Sequence, residues 1–138
     1  MTVSFAGGCA CGKLRFEARS QPVFQNHCHC RECRKRSGTG HSSYLTFAGR
    51  AEIAIDGEAK GWRVAGESGN GKVHAFCPDC GAPVFLTFEA MPDLIAIHAG
   101  ALDRPELFQP QAVTYGVGAP PWDVMDAALP VFERMPPA

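Results

Sequence analysis

The chemistry this sequence can do is concentrated in three groups of cysteine: Cys9-Ala10-Cys11, then Cys28-His29-Cys30-Arg31-Glu32-Cys33, then Cys77-Pro78-Asp79-Cys80. Thiolate is a soft ligand that suits zinc. A structural zinc ion takes four protein ligands, whereas a catalytic one takes three and keeps a position for water or substrate. The two pairs make one closed site and the triplet makes one open site. The pattern therefore predicts two zinc ions: a structural one held by Cys9, Cys11, Cys77 and Cys80, and a catalytic one held by Cys28, Cys30 and Cys33. Spacing alone does not select four ligands from seven cysteines uniquely; adjacency favours this division.

Phe76-Cys77-Pro78-Asp79-Cys80-Gly81 is the most specific local signal. In a zinc knuckle both sulfurs of a CxxC grip one ion and backbone N–H groups of the turn donate to them. Proline fixes φ in that turn, and a glycine after the second cysteine permits a left-handed residue. The competing reading is a redox pair, but those usually lie between a strand and a helix, and this motif lies between two strand candidates. Cys9 and Cys11, flanked by Gly7-Gly8 and Gly12, supply the other two ligands. Such a site closes a loop of roughly 65 residues and would contribute substantially to folding.

For the triplet three readings stand side by side. A fourth protein ligand could close it, with His27, His29, His41, Glu32 and His98 as candidates. It could stay open for water or a substrate thiol, or the cysteines could be spare thiols that sometimes form a disulfide. Arg31, Arg34, Lys35 and Arg36 surround it. That charge lowers thiolate pKa values and suits a substrate bearing carboxylates, although a solvated basic turn would have the same composition. Zinc as Lewis acid binds a small thiol as thiolate at neutral pH, the form that attacks a carbonyl, and the same site run backwards cleaves a carbon–sulfur bond. Arg31 and Arg34 are the candidates for carboxylate contact.

Other constellations are weaker. His41, Ser42 and Ser43 are contiguous and so do not make a serine-type triad by themselves. Gly69-Asn70-Gly71 lacks the lysine and following helix of a phosphate loop. Trp62 and Trp122 read as core or turn anchors, and His98, in an apolar run, as a satisfied structural histidine.

Composition narrows the partners. With 138 residues the chain has room for a single domain, 1–138. A net charge of −1 gives no general attraction to nucleic acid or to anionic membrane. No apolar run approaches a spanning helix, and residues 1–6 lack the charged and apolar segments of a secretory signal, so the expectation is a soluble, cytoplasmic protein. Reduced, clustered thiols in that compartment more often bind metal than form disulfides, and an odd count would leave one thiol unpaired.

The elements that must position these groups are mostly strands. Residues 13–19 alternate charged and apolar, placing Leu14, Phe16 and Ala18 in a core. A short segment, 23–27, delivers the chain to the triplet. One or two helical turns follow over residues 34–40, ending at a glycine. Strands are expected at 41–47, 51–55, 62–64, 83–88, 94–98 and 112–117, with 72–76 leading into the second cysteine pair. Residues 67–71 read as a hairpin connection, 100–110 as turns, 122–129 as a short helix behind Pro120-Pro121, and 135–138 as a loose tail. The fold class is mainly β, with antiparallel sheets stapled by zinc and one or two short helices.

The order Gly-Gly-Cys-x-Cys-Gly, Cys-His-Cys-x-x-Cys-Arg and Phe-Cys-x-x-Cys-Gly, with Gly100-Ala101-Leu102-Asp103 and Pro121-Trp122 behind it, resembles the glutathione-dependent formaldehyde-activating enzyme family over almost the whole chain. The resemblance implies a β-tent fold, a four-cysteine structural zinc at Cys9, Cys11, Cys77 and Cys80, and a catalytic zinc at Cys28, Cys30 and Cys33. It implies condensation of a glutathione-like thiol with formaldehyde to S-hydroxymethylglutathione, a carbon–sulfur lyase activity. Relatives often carry an Arg shortly before Phe-Cys and a His after the late proline; this chain has Lys72 and His74, and Gln111-Ala112-Val113 after Pro110. The alternatives are a non-catalytic two-zinc domain that binds another protein, and an oxidoreductase working through free cysteines.

Overall fold

The computed structural model describes residues 3–66 and 69–137. A small sheet is built from β1 (Phe5–Gly8), β2 (Arg15–Ala18) and β5 (Ala54–Asp56), in the order β1-β2-β5. A larger sheet contains β3 (Phe24–Cys28), β4 (Ser42–Phe47), β6 (Lys60–Ala65), β7 (Gly71–Phe76), β8 (Pro83–Phe88), β9 (Ile95–His98) and β10 (Ala112–Thr114). Its order is β10-β3-β4-β9-β8-β7-β6. Every named pairing is antiparallel except β10 on β3, which is parallel. The chain is mainly β, as its alternating patterns require.

Strand alternation sorts the central strands onto two faces. Leu45 and Phe47 of β4 and Ile95 and Ile97 of β9 join Leu14, Phe16 and Ala18 in the main core, where Phe5 and Phe47 meet edge to face at 5.5 Å. Tyr44, Ala96 and Leu86 point the other way and pack with Cys28 and Cys33 in a second, smaller cluster. β4 and β9 are thus buried on both faces, and the second face carries the cysteine triplet. Gly7 is required where the small sheet approaches Leu102, because a Cβ there would run into the Ala101 carbonyl.

Among the described residues there is one α-helix, α1 (Arg31–Ser37), closed by Gly38 in the left-handed conformation, φ 78°. It begins a turn earlier than residues 34–40 suggested, inside the triplet itself. The helix expected over 122–129 does not form: that stretch runs as turns, held by hydrogen bonds such as Asp123 N–H to Pro120 O at 3.1 Å. Its proline pair starts a strap that crosses the triplet's helix end. The strand expected over 51–55 is a 3-10 turn (Arg50–Glu52) and then β5, and 112–117 is the short β10 followed by a 3-10 turn at Gly116–Gly118. The segment 23–27 is a full strand, paired on both edges. Trp62 and Trp122 are not core residues; they are 59% and 67% exposed. The expected 67–71 connection lies partly outside the described residues, at 67 and 68, although β6 and β7 pair as a hairpin. Just before the expected tail, the Arg134 carbonyl accepts from Tyr115 N–H at 3.1 Å; residue 138 of that tail lies outside the described residues. No described helix is long and apolar enough to cross a membrane.

Candidate metal centres

Two hairpin tips build the first centre. Cys9 and Cys11 occupy the turn from β1 to β2, and Cys77 and Cys80 the turn from β7 to β8, so the CxxC sits between two strands as its context predicted. Cys77 N–H donates to Ala82 O at 3.0 Å and Gly81 N–H to Cys77 O at 2.9 Å, with Gly81 left-handed at φ 77°. The four sulfurs all lie within 4.8 Å of one another. Cys9 and Cys11 are 3.6 Å apart and Cys11 and Cys77 are 3.7 Å apart. A zinc–sulfur bond of about 2.3 Å gives a tetrahedral edge of about 3.8 Å, so this spacing is that of an ion-sized cage. Backbone N–H groups of Leu14, Asp79 and Cys80 point at sulfur, at 3.3, 3.4 and 3.5 Å. Burial alone would push the Cys9 thiol up, but the Leu14 N–H and the neighbouring thiols outweigh it and bring it down to about 6. Ala82 and Cys11 N–H groups lower Cys80 likewise. The set is suited to a dication.

The triplet is assembled at one end of β3. Cys28 ends that strand, paired with Ser42 of β4 and Thr114 of β10. Cys30 is the N-cap of α1, its sulfur accepting from Cys33 N–H at 3.3 Å, and Cys33 is buried in the first helical turn. Ser42 Oγ donates to Cys33 O at 2.8 Å, and the Tyr44 hydroxyl lies 3.2 Å from Cys33 Sγ. The three sulfurs are within 4.8 Å of one another, and among the described residues no histidine or carboxylate joins them. Cys30 and Cys33 are only 2.8 Å apart; that edge must open by about 1 Å to span a zinc tetrahedron. Hydrogen bonds from Cys28 and Cys33 push the Cys30 thiol far down, and the same coupling pushes Cys28 and Cys33 up. All seven cysteines are free thiols.

None of the candidate fourth ligands brings an atom into the sulfur group, and most have at least one polar atom engaged elsewhere. His27 Nδ1 shares a hydrogen bond with Ser43 Oγ at 2.7 Å, His29 Nδ1 donates to Gly40 O at 2.8 Å, and His41 Nδ1 to Asp123 Oδ2 at 2.6 Å. Glu32 pairs with Arg31 and Arg36, each at 2.8 Å. His98 stacks near Tyr44, with ring centroids 4.7 Å apart, and its Nε2 has no hydrogen-bond partner among the described residues, so it is buried but not satisfied.

A cavity of about 400 Å³ opens on the triplet; Cys30, Cys33, Arg31, Arg34, Lys72 and His74 are among its lining residues. His29 and Tyr115 line it too. His29 Nε2, Arg34 Nε and both ring nitrogens of His74 are buried without a hydrogen-bond partner among the described residues. Burial, and then the nearby Arg36 charge, lowers His74 to about 4. Tyr115, a wall residue, holds left-handed backbone at φ 55°, a conformation uncommon outside glycine and concentrated at functional sites. Sequence reasoning named Arg31 and Arg34 for this wall. Tyr115 and Leu86 carry no sequence signal, because what places them is the parallel β10 and the far face of β8.

No curated protein matches this chain. Among solved structures, the crystal structure of a Rhodobacter sphaeroides protein matches with a TM-score of 0.57 and 17% identity, covering 76% of this chain and 96% of that one; the likeness is one of fold. A family model described as glutathione-dependent formaldehyde-activating enzyme matches residues 4–117, a stretch that holds all seven cysteines and both sulfur clusters, and the chain belongs to that family.

Proposed function

We propose that the chain is a zinc-dependent enzyme that adds a small, glutathione-like thiol to a small electrophile such as formaldehyde and, in reverse, cleaves the carbon–sulfur bond of the adduct. Cys9, Cys11, Cys77 and Cys80 are its structural ligands, and Cys28, Cys30 and Cys33 its catalytic ones. The observation that carries this reading is the contrast between the two clusters: four sulfurs in one, three in the other, the latter beside a cavity lined by cations and orphaned donors.

Zinc held by three thiolates would supply a Lewis-acid position at which a small thiol is bound as its thiolate at neutral pH. The chain's own residues then have defined tasks. Buried groups without partners cost free energy until a ligand satisfies them, so Arg34 and His74 favour a substrate with carboxylate or amide oxygens. Lys72 and Arg31 add charge of the same sign at the same wall. The Tyr44 hydroxyl and the Cys33 N–H hold the ligand sulfurs of Cys33 and Cys30 in place.

Metal analysis with zinc absorption spectroscopy tests the reading. Two zinc ions per chain are expected, one with four sulfurs and one with three plus a lighter atom, and glutathione should bring a fourth sulfur to the second. A second ion that already has four protein ligands and ignores glutathione makes the chain a binding module instead. Redox-dependent disulfides without stoichiometric metal would overturn both.

A further inference from the structure

A second cavity, of about 480 Å³, lies on the other side of the triplet. Cys30 lines the first cavity and Cys28 the second, while Cys33, Lys72, Leu86 and Tyr115 line both. The two spaces therefore share a wall at the sulfurs. Their linings differ in balance, the second having more apolar side chains. The first carries Arg31, Arg34, His29 and His74. The second is walled mainly by apolar side chains, Phe24, Tyr44, Phe88, Met91, Ala96 and Met135 among them, with Asn26, Asn70, Lys72 and Arg134 as polar members. Volumes of 300 Å³ and more are those of ligand pockets, and apolar walls of this kind hold apolar ligand parts.

A one-carbon aldehyde would leave nearly all of that second space unfilled. We infer that the electrophile is an aldehyde with an apolar chain of several carbons, whose tail lies in the second cavity while the polar body of the thiol lies in the first. This rests on the reading of the triplet as a zinc site that binds a thiol. The reaction is an addition: the thiol sulfur forms a bond to the carbonyl carbon, the carbonyl π pair moves to oxygen, and the proton the thiol gave up ends on that oxygen. The product is a hemithioacetal, and nothing is oxidised or reduced overall. Met91 and Met135 line this cavity and are also exposed, and methionine adapts to chains of different length.

The experiment measures binding of unreactive thioethers to the full, zinc-loaded chain by calorimetry: S-methyl-, S-butyl- and S-octylglutathione. Affinity is expected to rise about threefold for each of the first added methylenes, giving well over tenfold from methyl to octyl. Ala90 lies on the exposed rim of the second cavity, and Ala90→Trp is expected to flatten the series and to lower the octanal-to-formaldehyde ratio of kcat/KM about tenfold. Equal affinity for the methyl and octyl compounds overturns the inference, and the wild-type series alone suffices if the variant does not fold. Glutathione bringing a fourth sulfur to zinc, with no chain-length gain, would sink this inference and leave the thiol reading standing. No fourth sulfur and no thioether binding would sink both.

Discussion

Cys11 and Cys77 are 66 positions apart in the chain, and their sulfurs meet at 3.7 Å, one from a hairpin of the small sheet and one from a hairpin of the large. A metal bound at that point would crosslink the two sheets and close the 66-position loop between them. Structural zinc binding contributes on the order of 10 kcal/mol, comparable to the whole stability of an ordinary domain. Cys77→Ser, at a fully buried position, is therefore expected to give a chain with no cooperative thermal transition and with the zinc of this site gone. Near-UV circular dichroism and metal content check it. A Cys77→Ser protein that melts like the wild type would remove the structural role.

Cys30→Ser should behave differently, for a local reason. Cys30 caps α1 by accepting the Cys33 N–H, and serine is itself a favoured N-cap. The helix keeps its cap, and the main core lies on the opposite face of the sheet. The expected outcome is a melting temperature within a few degrees of wild type, one zinc per chain instead of two, and loss of thiol binding. Full activity with two zinc ions retained would contradict the catalytic assignment.

How the sulfurs group was legible in part: spacing marks three local clusters, and the fold gathers the first and third, 66 positions apart at Cys11 and Cys77, into one group and leaves the triplet as another. The core face of β2 was legible for a similar reason: strict alternation at Leu14, Phe16 and Ala18 leaves one register. What the sequence hid is non-local. Pro120-Pro121 has the look of a helix start, yet the chain there is pulled into a strap by the His41–Asp123 hydrogen bond, across 82 positions. Local propensity lost to that tertiary contact. Trp62 is apolar in type, but β6 is the edge strand of the large sheet, and most of its residues face solvent. Both cavities share Tyr115, and its placement depends on the parallel pairing of β10 with β3, which no short pattern announces.

His98 is expected to contribute to an acid limit on stability, alongside His74, which burial lowers in the same way. Burial first, and then the neighbouring His74 and Arg36, lower His98 from its ordinary 6.5 to about 4. Between those values the unfolded chain binds a proton that the folded chain does not. Its contribution is thus fully present above pH 6.5 and lost as pH falls towards 4, by up to about 3 kcal/mol. His98→Leu removes both the titration and an unpartnered buried nitrogen. The variant is expected to be at least as stable at pH 7 and to lose less stability than wild type between pH 6.5 and 4. Denaturant midpoints at both ends of that window measure it, and parallel loss in the two proteins would assign the acid limit to other groups.

Gly40 lets the strap reach the triplet. A Cβ on it would stand 2.5 Å from Asp123 Oδ2 and 2.7 Å from Pro120 Cγ, well inside contact distance. The Gly40 carbonyl also accepts from His29, and Asp123 Oδ2 lies 3.6 Å from the same His29 nitrogen. His29 in turn lines the first cavity, so the strap, the glycine and the cavity wall are one packed unit. Gly40→Ala must push residues 120–123 outward or tilt His29, at a cost of about 1–3 kcal/mol. The melting temperature should fall by roughly 5–10 °C, and glutathione affinity should drop with zinc still at two per chain. Asp123→Asn keeps the strap's size and one acceptor oxygen, so it should lose less on both counts. If Gly40→Ala left stability and thiol affinity where they were, the strap would not be part of the site's wall.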